Sequence, residues 1–247
     1  MMEMNTVRTP KGRAAMWWMV ASEAVIFGGF IACYLLYRIR HPEWSTVAEH
    51  TSAPLGILNT FILLASGFFM AQASRKASKG NGGGAALQIV LTILLALGFL
   101  TVKGWEYSMK IEHGNIPGAH LFWDFYFGMT GLHGLHIVAG ILAMVFIAIG
   151  AKRGNNLGRV EMVGLYWYLV DVVWVFIFAL LYLDHFSRVV VWPAAACIAG
   201  LGVYQFMGLK RESRWFQAAV IFAVICLGFF FFGVYPDIIP ITAIIAK

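Results

Sequence analysis

Apolar residues along this chain gather into runs of about 20, each long enough to cross ~30 Å of hydrocarbon as a helix. Short stretches bearing charge, glycine or proline separate the runs. The pattern predicts seven spans, at Ala14–Tyr37, Pro54–Ser74, Ala85–Tyr107, Leu121–Gly150, Val160–Tyr182, Val189–Gly208 and Trp215–Val234. The expected fold class is all-α, a polytopic transmembrane helical bundle. Ser74–Gly84 (SRKASKGNGGG) reads as a flexible basic loop. Met1–Arg13 is polar and basic, but the run after it is too long for the core of a cleavable leader and contains Glu23. It reads as a retained first span.

Composition strengthens this picture. The chain is 60% hydrophobic and only 12% charged, with a mean hydropathy of +0.76, whereas soluble domains are roughly a quarter charged. The net charge of +6 falls in short loops, so it speaks of topology rather than of nucleic acid. Twelve Lys and Arg lie on one side of the predicted bundle and six on the other. This bias predicts a cytoplasmic N-terminus and a periplasmic (outside) C-terminus. Cys33, Cys197 and Cys226 all lie within spans, with no disulfide or zinc spacing.

Four titratable residues stand well inside apolar runs: Glu23, His133, His136 and Asp171. Such groups are costly in a bilayer and normally face protein. At ~1.5 Å per residue, Glu23 lies about 15 Å past Arg13, Asp171 about 18 Å past Arg159, and His136 about 24 Å before Lys152 on a run long enough to tilt. These depths predict that Glu23 hydrogen-bonds His136, with Asp171 and His133 near the same polar core. His133 and His136, three residues apart, are expected to face one neighbour. Small residues beside them (Gly28, Ala32, Gly131, Gly134) would let helices approach closely. Glu43, Glu49, Glu112 and Asp184 are expected in solvent.

Function classes narrow accordingly. A six-coordinate haem needs imidazoles on opposite faces, whereas the mid-membrane histidines share one helix. His41, His50, His113, His120 and His185 lie in loops or at span ends. An independent ion transporter would fit buried carboxylates, but no broken helix or inverted repeat is visible.

Five stretches together resemble subunit III of the haem–copper respiratory oxidases. They are Ser22-Glu23 leading into VIFGGFIACY, Leu58-Asn59-Thr60 with Leu63–Gly67, Trp105-Glu106-Tyr107, Thr130–His136 (TGLHGLH), and Tyr166–Trp174 (YWYLVDVVW). They occur in family order over Ala14–Asp184. Two features depart from the pattern: Tyr168 stands where many members have histidine, and the family's first two helices are missing, as in the quinol-oxidase branch.

The resemblance implies a non-catalytic subunit III of a bacterial terminal oxidase, with no catalytic or metal-ligating residue of its own. A subunit III-like accessory protein of a nitric oxide reductase is the alternative. Haem and copper are expected in partner subunits, and phospholipids in this one. The implied partners are catalytic subunit I, with subunits II and IV and membrane lipids, in the bacterial plasma (inner) membrane. Glu23, His133, His136 and Asp171 would form the buried core beside a lipid cleft, with Glu106, Tyr168 and Trp174 as secondary members. Trp105-Glu106-Tyr107 would mark an exposed helix end. Residues 1–184 form the expected subunit III-like unit, and residues 185–247 add two spans that resemble part of subunit IV. The electron donor, cytochrome c or quinol, would meet other subunits.

Overall fold

The computed structural model describes residues 10–41, 43–48, 50–155 and 157–182, and among them every regular element is helical. The helices are α1 (Pro10–Arg40), α2 (Trp44–Ala48), α3 (Ala53–Ser78), α4 (Gly82–Glu112), α5 (Leu121–Lys152) and α6 (Leu157–Tyr182). All except α2 are long and apolar enough to cross a membrane. They coincide with the first five predicted spans and extend past the apolar runs into charged turns. The two further spans and the proposed residue 185–247 unit lie outside the described residues, as do Asp184 and His185.

Helices α3, α4, α5 and α6 close into a ring in which each packs on the next and α6 returns to α3. Helix α1 lies outside the ring, against α6 and α5. Aromatic side chains fill the ring's core, including Phe99, Phe122, Tyr126, Trp167, Trp174 and Tyr182, each at most 1% exposed. The ends of the indoles find polar partners, as buried N–H donors must. Trp167 Nε1 donates to Ser66 Oγ (2.9 Å) and Trp174 Nε1 to Thr60 Oγ1 (3.0 Å), both on α3.

The low-complexity loop is a correction. Helix α3 continues to Ser78 and α4 begins at Gly82, leaving a three-residue turn. Gly80 adopts φ 76°, which L side chains rarely take. Asn81 caps α4 by accepting from the Gly84 amide at 2.8 Å. Backbone bonds from Gly80 N to Ala77 O and from Asn81 N to Lys76 O close the end of α3. Composition suggested flexibility, but local capping chemistry decides the conformation.

Helix α2 was not expected from the pattern. It is a short strap carrying Trp44, which is 1% exposed and packs on Tyr34, Phe122 and Phe125 with centroids 5.7–5.9 Å away. His41 stacks on the Trp44 indole at 5.5 Å and hydrogen-bonds Glu43 at 2.8 Å. A backbone hydrogen bond first, and then His41, hold the Glu43 carboxyl below its ordinary range. The Thr51 hydroxyl donates to Leu181 O (3.3 Å), and Lys110 Nζ donates to His50 O. These contacts tie the strap to α4 and α6.

Close helix approach comes from other glycines than expected. A Cβ on Gly28 or Gly134 would meet nothing within 4 Å, and one on Gly131 only the Tyr107 hydroxyl at 3.9 Å. A Cβ on Gly140 would lie 2.9 Å from the Trp167 ring, and one on Gly67 2.6 Å from Asp171 Oδ2. Gly28, Gly131 and Gly134 therefore do not set the bundle's spacing.

Candidate functional site

Glu23 of α1 and His136 of α5 meet at 2.8 Å (Oε2 to Nε2), as the depth argument predicts. His136 Nδ1 lies 2.8 Å from Leu132 O in the preceding turn. A carbonyl can only accept, so Nδ1 carries a hydrogen. Nε2 must then either accept from a protonated Glu23 or, as an imidazolium, donate to a carboxylate. Both states place one proton between the two residues and keep the pair neutral overall. The Tyr166 hydroxyl donates to His136 O (2.8 Å), and Phe27 packs edge-on against the imidazole (5.2 Å). Three helices thus fix one titratable pair.

The pair lines a groove of about 750 Å³ between α1, α5 and α6. Along α5 its wall runs from Leu132 to Ile147, about 22 Å of helix. Met16, Met19, Leu135, Ala139, Ala143 and Val163 make it apolar, and Arg159 stands among its lining residues on α6, seven positions before Tyr166. The arrangement suits an elongated apolar ligand with an anionic head: a greasy channel, one cation, and one neutral polar pair.

The other expected members of this core separate from it. His133 is fully buried and faces the interior of the ring, stacked on Trp174 (5.3 Å) and edge-on to Phe99 (5.7 Å). Neither of its ring nitrogens has a hydrogen-bond partner. A three-residue step turns about 60° around a helix axis, enough on this tightly packed helix to give the two histidines different neighbours. Asp171 lies against Gly67 of α3, and no ion pair among the described residues includes it. Tyr168 is buried beside Gly164, where α6 approaches Met70 and Ser74 of α3. Matching depth did not imply a shared face, because four helices at one level offer many seams.

The exposed helix end expected at Trp105-Glu106-Tyr107 requires the largest correction. Trp105 is exposed, but Glu106 is fully buried, and α4 runs six residues beyond it. Lys103, one turn earlier and inside the predicted third span, is 6% exposed. Its Nζ donates to Glu106 Oε2 (3.0 Å), Tyr126 Oη (3.1 Å) and Tyr182 Oη (2.7 Å). The Tyr182 hydroxyl donates to Glu106 Oε2 (3.0 Å), which leaves Tyr126 donating to Tyr182 (3.1 Å). Nearby, Thr130 Oγ1 donates to Tyr126 O (2.6 Å) and so accepts from the Tyr107 hydroxyl (2.5 Å). The Lys-x-x-Glu spacing, which places opposite charges on one helix face, was the only sequence signal. Tyr126 and Tyr182 join it only through the fold.

Comparison with known proteins settles the family. The family model for cytochrome c oxidase subunit III matches residues 5–185. The chain belongs to the cytochrome c oxidase subunit III family. The match covers all the described helices and stops close to the end of α6. Cytochrome c oxidase subunit 3 of Thermostichus vulcanus is 30% identical over 167 residues, covering 66% of this chain and 82% of that protein. Quinol oxidase subunit 3 of Bacillus spizizenii is 29% identical over 171 residues, covering 68% and 84%. The heme-copper oxidase subunit I+III of Aeropyrum pernix is 30% identical over 184 residues, 70% of this chain but 23% of that longer protein. Both cytochrome c and quinol oxidase subunits are thus similar to this chain, a multi-pass membrane protein of the subunit III family.

Proposed function

We propose that this chain is the non-catalytic subunit III of a bacterial haem–copper terminal oxidase, packed on catalytic subunit I with subunits II and IV nearby. The family match over residues 5–185 carries this reading, and a relative named as a subunit I+III protein supports the partnership with subunit I. In the plasma membrane the N-terminus is cytoplasmic and the C-terminus outside, as the Lys/Arg bias favours. Haem and copper reside in the partner subunits.

Within this role the α1/α5/α6 groove holds phospholipid. Its apolar wall receives an acyl chain, Arg159 attracts the phosphate, and the neutral Glu23–His136 pair joins α1 to the ring without placing net charge beside lipid. Retained lipid in turn stabilises the complex and supports proton uptake through subunit I. The test replaces His136 with Leu and Arg159 with Gln, separately, in the purified complex. Each variant retains less phospholipid per complex, with haem per catalytic subunit unchanged. Loss of haem in the His136→Leu complex, or unchanged lipid in both variants, contradicts the reading.

A further inference from the structure

Away from the groove, three helices converge on one ammonium group. Lys103 Nζ has three hydrogens, and each has an acceptor within 3.1 Å: Glu106 Oε2, Tyr126 Oη and Tyr182 Oη. Four rings also surround it, with centroids at 4.8 Å (Tyr126), 4.9 Å (Tyr107), 5.4 Å (Tyr182) and 5.7 Å (Trp174). Each lies within the ~6 Å range of cation–π attraction. The acceptors and rings come from α4, α5 and α6, while Lys103 supplies only the cation and its stem.

We infer that Glu106, Tyr107, Tyr126, Trp174 and Tyr182 form a binding site for a primary ammonium ion, an aromatic cage with a carboxylate, in which Lys103 serves as a tethered ligand. The site is complete without the tether, because every group that recognises the cation belongs to another residue. Its occupant draws α6 onto α4 and α5, since Tyr182 reaches both Lys103 and Glu106. The carboxylate selects for positive charge. The three converging acceptors select for a group with three hydrogens, so quaternary ammonium ions fit the rings but not the oxygens. This inference rests on the cage geometry alone and is independent of the oxidase assignment.

The test uses the full chain in lipid nanodiscs. Lys103→Ala removes the atoms of a propylammonium ion, so the variant unfolds at a lower temperature than the parent chain. Added propylammonium restores much of that loss. Sodium at equal ionic strength, propanol and tetramethylammonium do not. The double variant Lys103→Ala/Glu106→Gln, lacking the carboxylate, does not respond. If Lys103→Ala yields no folded chain alone, folded chain is recovered only when propylammonium is present during reconstitution. A second arm compares Glu106→Gln with Lys103→Met/Glu106→Gln. The single variant leaves a buried cation uncompensated and is the less stable of the two. Failure of propylammonium to act on Lys103→Ala, an equal effect on the double variant, or a Glu106→Gln chain as stable as Lys103→Met/Glu106→Gln overturns the inference.

Discussion

At the scale of single residues, the Glu23–His136 pair follows from one constraint: a carboxyl or an imidazole inside apolar surroundings needs a partner. Leu132 O fixes the hydrogen on His136 Nδ1, so the 2.8 Å bond to Glu23 needs a hydrogen from the carboxyl or from Nε2. Glutamine can replace Glu23 in this arrangement, because its amide donates to a neutral Nε2. Leucine cannot, and it leaves Nε2 unsatisfied at a cost of about 1–3 kcal/mol. Thermal unfolding of the chain in nanodiscs therefore ranks Glu23→Gln close to the parent and Glu23→Leu well below it. Equal loss in both would remove the hydrogen bond from the account. This pairing was legible in the sequence because two rare residues lay at one depth. The role of Glu106 was not, since a Lys and a Glu near a predicted span end look the same whether water or three tyrosine rings and one tryptophan ring surround them.

At the scale of elements, glycines with different surroundings on α5 give opposite expectations. Gly140→Ala drives a methyl into the Trp167 and Tyr166 rings and destabilises by about 1–3 kcal/mol, as overpacking does. Gly134→Ala enters open space and stabilises the helix by up to about 1 kcal/mol. Unfolding temperatures of the two variants should move in opposite directions. Helix α2 offers a second check. Trp44→Ala empties a site walled by Tyr34, Phe122 and Phe125, costing about 3–5 kcal/mol where the site cannot collapse. Hydrogen exchange then rises in residues 43–52 while the α3–α4 turn stays protected. Long helices were readable from apolar runs alone. The strap was not, because five residues give no periodic signal, and the α3–α4 turn was misread because three adjacent glycines suggest freedom that capping removes.

At the scale of the molecule, the described chain is a closed four-helix ring with α1 attached outside it, and the groove lies along that attachment. The ring's own core is aromatic and held by indole and tyrosine hydrogen bonds, whereas α1 is joined largely through Glu23, Phe27 and Tyr34, the last donating to Leu180 O at 3.3 Å. This division explains why a lipid-sized space opens between α1 and the ring rather than inside it. Family membership was legible from five short motifs in order, which is a property of this sequence's resemblance rather than of its periodicity. The separation of Asp171 and His133 from the groove was not legible, since it depends on helix rotation that sequence spacing leaves open. The most direct test of the central claim is affinity purification of the tagged full chain from its native membrane, with subunit identification and an optical spectrum. A haem–copper catalytic subunit is expected in equal amount, with haem absorbance that follows that subunit and disappears when this chain is isolated from it. Recovery of the chain without such a partner, or a Soret band retained by the isolated chain, would contradict it.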